Sequence, residues 1–86
     1  MRHTASQRYW RAYDALPAEV RALADKSFAQ LKRDPSHGSL AFKAVAGGRF
    51  RSARIGLYYR ALGVPVADGV HWFWIGTHAE YDKLLG

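Results

Sequence analysis

The sequence predicts a single α+β domain over residues 1–86: an N-terminal helical hairpin packed on a twisted antiparallel sheet of about four strands, closed by a short C-terminal helix. Three observations predict it. Apolar residues recur at three- to four-residue intervals up to Leu31 and alternate from Leu40 onward. Pro17, Asp34-Pro35, Gly47-Gly48 and Asp68-Gly69 punctuate the chain where elements of ordinary length should end. Finally, 86 residues, 49% of them hydrophobic and 14% aromatic, suffice for one core but not for two.

The elements follow in order. Ser6 is the candidate cap of a short helix in which Tyr9, Trp10, Tyr13 and Leu16 recur at helical spacing. Leu16-Pro17-Ala18-Glu19 restarts the chain, with Pro17 suited to a first helical turn. Val20, Leu23, Ala24, Phe28 and Leu31 then make one apolar stripe, with Arg21, Asp25, Lys26, Lys32 and Arg33 largely away from it. Asp34-Pro35 ends this second helix.

From Leu40 to Val45 the pattern alternates, with Leu40, Phe42 and Ala44 on one strand face and Lys43 on the other. Gly47-Gly48 reads as a hairpin turn, Phe50 to Leu57 as the second strand and Tyr58 to Val64 as the third. Pro65 and Asp68-Gly69 mark a loop before Val70 to Ile75, the most apolar strand. Simple alternation places Trp72 and Trp74 on one face and His71, Phe73 and Ile75 on the other, so this strand is expected to be central and buried. Thr77 followed by Glu80 is a capping box, which starts a helix running from about His78 to Leu85. Such a sheet needs a helix layer on one face, and its other face is left for a ligand.

Several function classes are excluded by absence. There is no cysteine, hence no disulfide scaffold, thiol nucleophile or cysteine zinc site. No apolar run reaches the ~18 residues of a membrane span, and the start Met1-Arg2-His3 leads into no apolar signal region. A cytoplasmic protein without membrane contact is expected. No GxSxG, P-loop or GxGxxG motif occurs. His3, His37, His71 and His78 are far apart and lack an HxxxH pair or acidic cluster, so neither a metal nor another cofactor is expected. Paired-carboxylate hydrolysis is poorly supplied, because four of the seven acids lie in the helical hairpin.

The net charge of +6 is unevenly spread. Residues 1–34 carry +3 and residues 68–86 carry −2, while residues 35–67 hold Lys43, Arg49, Arg51, Arg54 and Arg60 with no acid at all. An acid-free basic stretch attracts polyanions, of which phosphate chains are the commonest.

Arg, Lys, His and Tyr form a set suited to cutting RNA. RNA carries its own nucleophile, the 2′-hydroxyl, so a protein need only move protons and stabilise a charged phosphorane. Free imidazole titrates near pH ~6.5 and can serve as base or acid. Arg or Lys aimed at non-bridging oxygens stabilises charge that grows in the transition state. His78, at the junction of the last strand and the capped helix, is the leading proton carrier. Tyr81, three residues on, shares its helical face and either packs against the sheet or joins the site. Arg54 and Arg60 flank a tight turn and are the leading phosphate contacts. Lys43, Arg49 and Arg51 supply a general RNA-binding field. His71, within the most apolar strand, reads as a core histidine.

These residues resemble a family. Tyr9-Trp10, Leu16-Pro17-Ala18-Glu19-Val20 and the run Asp34-Pro35-Ser36-His37-Gly38-Ser39-Leu40-Ala41-Phe42-Lys43 are similar to the first half of RelE/ParE-type toxins of bacterial type II toxin–antitoxin systems. Arg54-Ile55-Gly56, Tyr59-Arg60 and the tail from Trp72 to Leu85 are similar to the second half. The resemblance implies a helical hairpin on a twisted sheet. It further implies ribosome-dependent cleavage of mRNA by 2′-hydroxyl attack without a metal, or, on the ParE branch, inhibition of DNA gyrase through protein contacts. A third alternative is an RNA-binding member without chemistry.

By position, Arg60 matches the Arg after the family's Gly-x-Tyr turn, Arg54 the basic residue on the preceding strand, and His78 and Tyr81 the C-terminal His and Tyr. The partners implied are a cognate antitoxin, mRNA and the ribosome, with operator DNA reached only through the antitoxin complex. Gly56 to Arg60 is one residue longer than the family's turn, which leaves facing directions there open. Only Arg2 to Ala5 precede the first helix, little room for the family's N-terminal strand, so one sheet edge is expected to stand open to strand addition by a partner.

Overall fold

The computed structural model describes residues 1–85. In chain order it contains β1 (Arg2–Ala5), α1 (Gln7–Asp14), α2 (Ala18–Arg33), β2 (Lys43–Val45), β3 (Phe50–Ile55), β4 (Tyr59–Val66), β5 (Gly69–Thr77) and α3 (His78–Leu85). Single 3-10 turns at Gly38–Leu40 and Ala46–Gly48 bracket β2. The five strands form one sheet in the order β1-β5-β4-β3-β2, antiparallel except for the parallel pair β1–β5.

The helical hairpin forms as its caps dictate. Ser6 Oγ accepts the Tyr9 N–H at 3.2 Å and starts α1. Pro17 occupies the cap position of α2 rather than its first turn, and Asp34 terminates it. The Tyr13 hydroxyl donates to Asp25 at 2.9 Å, tying α1 to α2. Tyr9 meets Phe28 edge-on at 5.9 Å, and Phe28 meets Trp72 edge-on at 5.0 Å. This aromatic chain carries both helices onto β5, where Val20, Ala24, Leu31, Ala53, Ile55, Ala61, Val70 and Ile75 complete the buried core.

The sheet differs from the expected one in three places. The edge expected to stand open is occupied by Arg2 to Ala5, which pair in parallel with Gly69 to Trp72. Four residues suffice because β1 docks against the turn end of β5 and Ser6 N–H continues the pairing onto Trp72 O at 2.9 Å. The strand expected over Leu40 to Val45 is extended only from Lys43. Leu40 closes a 3-10 turn instead, and Ala41 sits in left-handed backbone at φ 44°. Pro65 lies inside β4 rather than in a loop. It is tolerated because β3 pairs with β4 only from Arg51–Gly63 inward, so β4 is locally an edge at Pro65.

A fourth difference concerns β5. Pairing with β4 runs Ala61–Ile75, Leu62–Trp74 and then Gly63–Trp72, so Phe73 is an extra residue in a β-bulge. The bulge overturns the expected alternation. Trp72 and Ile75, three apart, both join the helix-side core. Trp74 instead falls on the opposite face with its partner Leu62, where the rings of Phe50 and Phe73 meet at 5.4 Å.

Gly69 is required by close approach. A Cβ there would stand 1.7 Å from the Arg2 carbonyl oxygen, which is backbone and can yield only if β1 shifts. Gly69→Ala is expected to cost about 1–3 kcal/mol in urea unfolding, as overpacking does. Amide protection should be lost at His3 and Thr4 while the β3–β4 pairing keeps its own.

Candidate functional site

The last strand hands over to α3 through the capping box that Thr77 and Glu80 predict. Glu80 Oε1 accepts the Thr77 N–H at 3.0 Å and its hydroxyl at 2.9 Å, and the Glu80 N–H donates to Thr77 Oγ1 at 3.2 Å. These bonds hold the Glu80 carboxyl below its usual pKa of 4.5, the backbone N–H of Thr77 being the largest cause. His78, the first residue of α3, donates its own N–H to Tyr58 O at 2.8 Å. The start of the helix is thereby pinned to the β3–β4 turn.

Pinning brings His78 against Arg60. Arg60 Nη1 donates to Tyr59 O at 2.8 Å, and Nη2 lies 3.2 Å from His78 Nδ1. A guanidinium only donates, so Nδ1 is the acceptor and the ring proton resides on Nε2. Nε2 in turn faces Asp82 Oδ1 at 3.3 Å, an i,i+4 neighbour on α3. Arg60, His78 and Asp82 thus form a continuous line of polar contacts. Tyr81 stands edge-on to the His78 ring at 6.1 Å.

The sheet supplies the floor. Arg60 pairs with Gly76 on one side and Arg54 on the other, so the two arginines are cross-strand neighbours on the face away from α1 and α2. A Cβ at Gly76 would run into the six-membered ring of the Trp74 indole, so that ring covers the strand at the pairing partner of Arg60. The half-buried Trp74 offers a stacking surface next to the charged line.

Of the residues singled out from sequence, Arg60, His78 and Tyr81 come together and Arg54 adjoins them. Lys43 pairs with Ser52 and shares their sheet face. Arg49 and Arg51 are elsewhere: Arg51 is three residues along β3 from Arg54, about 10 Å at strand rise, and Arg49 lies in the turn before the strand. Arg51 donates to Gly48 O at 3.0 Å, and Arg49 lies over the Phe50 ring at 5.5 Å. Their side chains brace the β2–β3 turn.

Sequence reasoning missed Asp82 and Trp74. The i,i+4 spacing of His78 and Asp82 on a capped helix was a usable signal for the first. The second was hidden by the bulge.

In the solved structures the same architecture recurs. A chain of the RelB–RelE antitoxin–toxin complex from Methanococcus jannaschii superposes with a TM-score of 0.74 at 12% identity, covering 96% of this chain and 99% of that one. The YoeB/ParE toxin from Agrobacterium tumefaciens gives 0.69 at 17% identity, with 91% and 99% covered. A copper-bound mutant toxin from Helicobacter pylori gives 0.65 at 16% identity, with 93% and 97% covered. The fold is that of the RelE and ParE toxins. No protein-family model and no curated protein sequence matches the chain.

Within this RelE-like fold two other histidines, His71 and His3, serve structure. His71 shares a 2.7 Å hydrogen bond with Thr4 Oγ1 and links β5 to β1. His3 Nδ1 accepts the Trp72 indole N–H at 3.1 Å; burial, with Lys32 nearby, holds its pKa below 6.5. Among the described residues no group of three or more His, Cys, Asp or Glu comes together, and no helix is long and apolar enough to cross a membrane.

The cap also makes the candidate site acid-sensitive. The Glu80 carboxyl titrates below its unfolded value of 4.5, so the unfolded chain binds the proton more readily. The stability it contributes is therefore present above about pH 4.5 and is lost as pH falls through the lowered folded value. The Thr77 amide, which bonds Glu80 Oε1, should shift over this window in the wild type and lose that shift in Glu80→Gln.

Proposed function

We propose that the protein is the toxin of a type II toxin–antitoxin pair and cleaves mRNA on the ribosome by 2′-hydroxyl attack. The contact of Arg60 with His78 Nδ1, backed by Asp82 on Nε2, carries this reading. A phosphate entering the site competes for the Arg60 guanidinium and frees the Nδ1 lone pair. His78 then takes the 2′-hydroxyl proton while Asp82 holds the ring, as a carboxylate does in other histidine-based sites. The 2′-oxygen bonds to phosphorus, Arg60 stabilises the charge gathering on the non-bridging oxygens, and Arg54, its cross-strand neighbour, adds positive charge beside it. The bond to the 5′-oxygen breaks, and that oxygen takes a proton from protonated His78 or from the Tyr81 phenol. The products are a 2′,3′-cyclic phosphate and a 5′-hydroxyl. Trp74 stacks a flanking base, and Lys43 adds to the field along the same face.

The partners follow. A positive sheet face needs an acidic or amphipathic antitoxin to cover it, and operator DNA is reached through that complex. The likeness to a RelB–RelE complex supports such a partner. One observation favours a second reading, a ParE-type inhibitor of DNA gyrase. Leu57 and Tyr58, at the tip of the β3–β4 turn, are 71% and 73% exposed, which suits docking on a protein.

Mapping mRNA 5′ ends after induction tests the first reading. His78→Ala and Arg60→Ala should each lower cleavage by about 10²–10³-fold, and Asp82→Asn by roughly tenfold. Intact transcripts during growth arrest, with supercoiling blocked and insensitive to His78→Ala, would establish the gyrase reading instead.

A further inference from the structure

Two clefts among the described residues differ in their charges. One, of about 320 Å³ between α1, α2 and β1, is lined by both Asp25 and Lys32. The other, of about 410 Å³, is bounded by α2, the turn at Gly38–Leu40 and the β3–β4 turn, and among its lining residues are Lys26, His37 and Arg54 with no acid. None of these three makes an ion pair with a carboxylate among the described residues.

The fold creates this second cleft for stated reasons. β2 pairs with β3 only along Phe50 to Ser52, so beyond Ser52 the outer edge of β3 is left to the Gly38–Leu40 turn. Gly56 at φ 64° swings the β3–β4 turn so close to α2 that a Cβ there would meet Leu23 Cδ2 at 2.5 Å. His37 Nδ1 is taken by the Ser39 N–H at 3.3 Å and the Ser39 hydroxyl at 2.7 Å. With Nδ1 accepting the backbone N–H, Nε2 carries the ring proton and is a free donor. Leu23 and Leu57 provide an apolar wall below the cationic rim.

We propose that this cleft binds a second nucleotide of single-stranded RNA, next to the one held at Arg60 and His78. Lys26, Arg54 and His37 Nε2–H receive its phosphate, and its base or ribose lies against Leu23 and Leu57. Arg54 makes the connection: its backbone is the cross-strand neighbour of Arg60, while its side chain lines the cleft at the outer edge of β3, so a strand passing over that edge meets the two arginines in turn. Charge selects the occupant, since three donors lining the cleft, with only the Asp34 carboxylate near His37, favour a polyanion and disfavour an acid-balanced peptide. The inference rests on the RNA reading of the function, and its test separates the two.

The test is titration of the full chain with uridine 3′,5′-bisphosphate, followed by NMR, beside inorganic phosphate as control. Resonances of Lys26, His37 and Ser39 should shift, with the nucleotide binding at least tenfold more tightly than phosphate. Lys26→Gln with His37→Asn should abolish those shifts and leave the folded spectrum intact, because Asn can still accept the Ser39 N–H. The same pair should reduce the salt slope of binding to a short single-stranded RNA by about 0.7 per lost phosphate contact. Shifts confined to Arg60 and His78 would overturn the inference and leave the RNA reading standing. Equal affinity for inorganic phosphate would overturn the nucleotide assignment. Shifts at Lys26 and His37 with RNA left uncut would uphold this cleft and sink the cleavage reading.

Discussion

Between Leu62–Trp74 and Gly63–Trp72 the pairing of β4 with β5 skips Phe73, and that one extra residue sets the direction of the side chains on both sides of it. Trp72 on the helix side is 2% exposed and touches every layer. Its indole N–H bonds His3 of β1, its ring edge meets Phe28 of α2, and Phe42 packs against it from the segment before β2. Without the bulge, a strand with Trp72 inward would turn Ile75 out of the core and Trp74 into it. The second tryptophan would then be unavailable beside Arg60. The bulge therefore serves core packing and site assembly at once, consistent with the general use of bulges to re-aim side chains near functional sites.

The charged residues are distributed by the same logic. The strands that carry Arg54 and Arg60 have no carboxylate, so nothing in the sheet neutralises the face they share with Lys43. The acids that do enter the site arrive on α3. Glu80 is used up in capping and Asp82 faces His78 Nε2. Cap and site are mechanically linked, because the bonds that start the helix also fix where the imidazole stands relative to the guanidinium. A helix of eight residues would not hold its position alone; its order comes from the Thr77–Glu80 box and the His78–Tyr58 backbone bond.

The likeness to RelE and YoeB/ParE structures at 12–17% identity shows how little of this fold depends on particular residues. Two amphipathic helices on a five-stranded sheet can be written with many sequences, as long as the apolar pattern and the turns agree. Chemistry is more demanding. It needs donors and acceptors within about 3 Å, as in the Arg60–His78–Asp82 line, which depends on particular side chains.

Much of the architecture was legible in the residues themselves. Local rules set the Ser6 cap, the Asp34-Pro35 stop, the Gly47-Gly48 turn and the Thr77–Glu80 box, each acting over a few residues through hydrogen bonds or backbone sterics. The acid-free segment and the placement of His78 at a strand–helix junction were equally local. Long-range pairing decided the rest. That Arg2 to Ala5 form a strand depends on Gly69, far along the chain, having no side chain. That Trp74 and Ile75 trade faces depends on a register shift against β4, which alternation within one strand cannot reveal. Arg49 and Arg51 could be recognised as basic from the sequence, but only the β2–β3 turn assigned them to bracing it. Spacing along the chain thus determined which elements form, and contacts between distant segments determined which side chains those elements bring together.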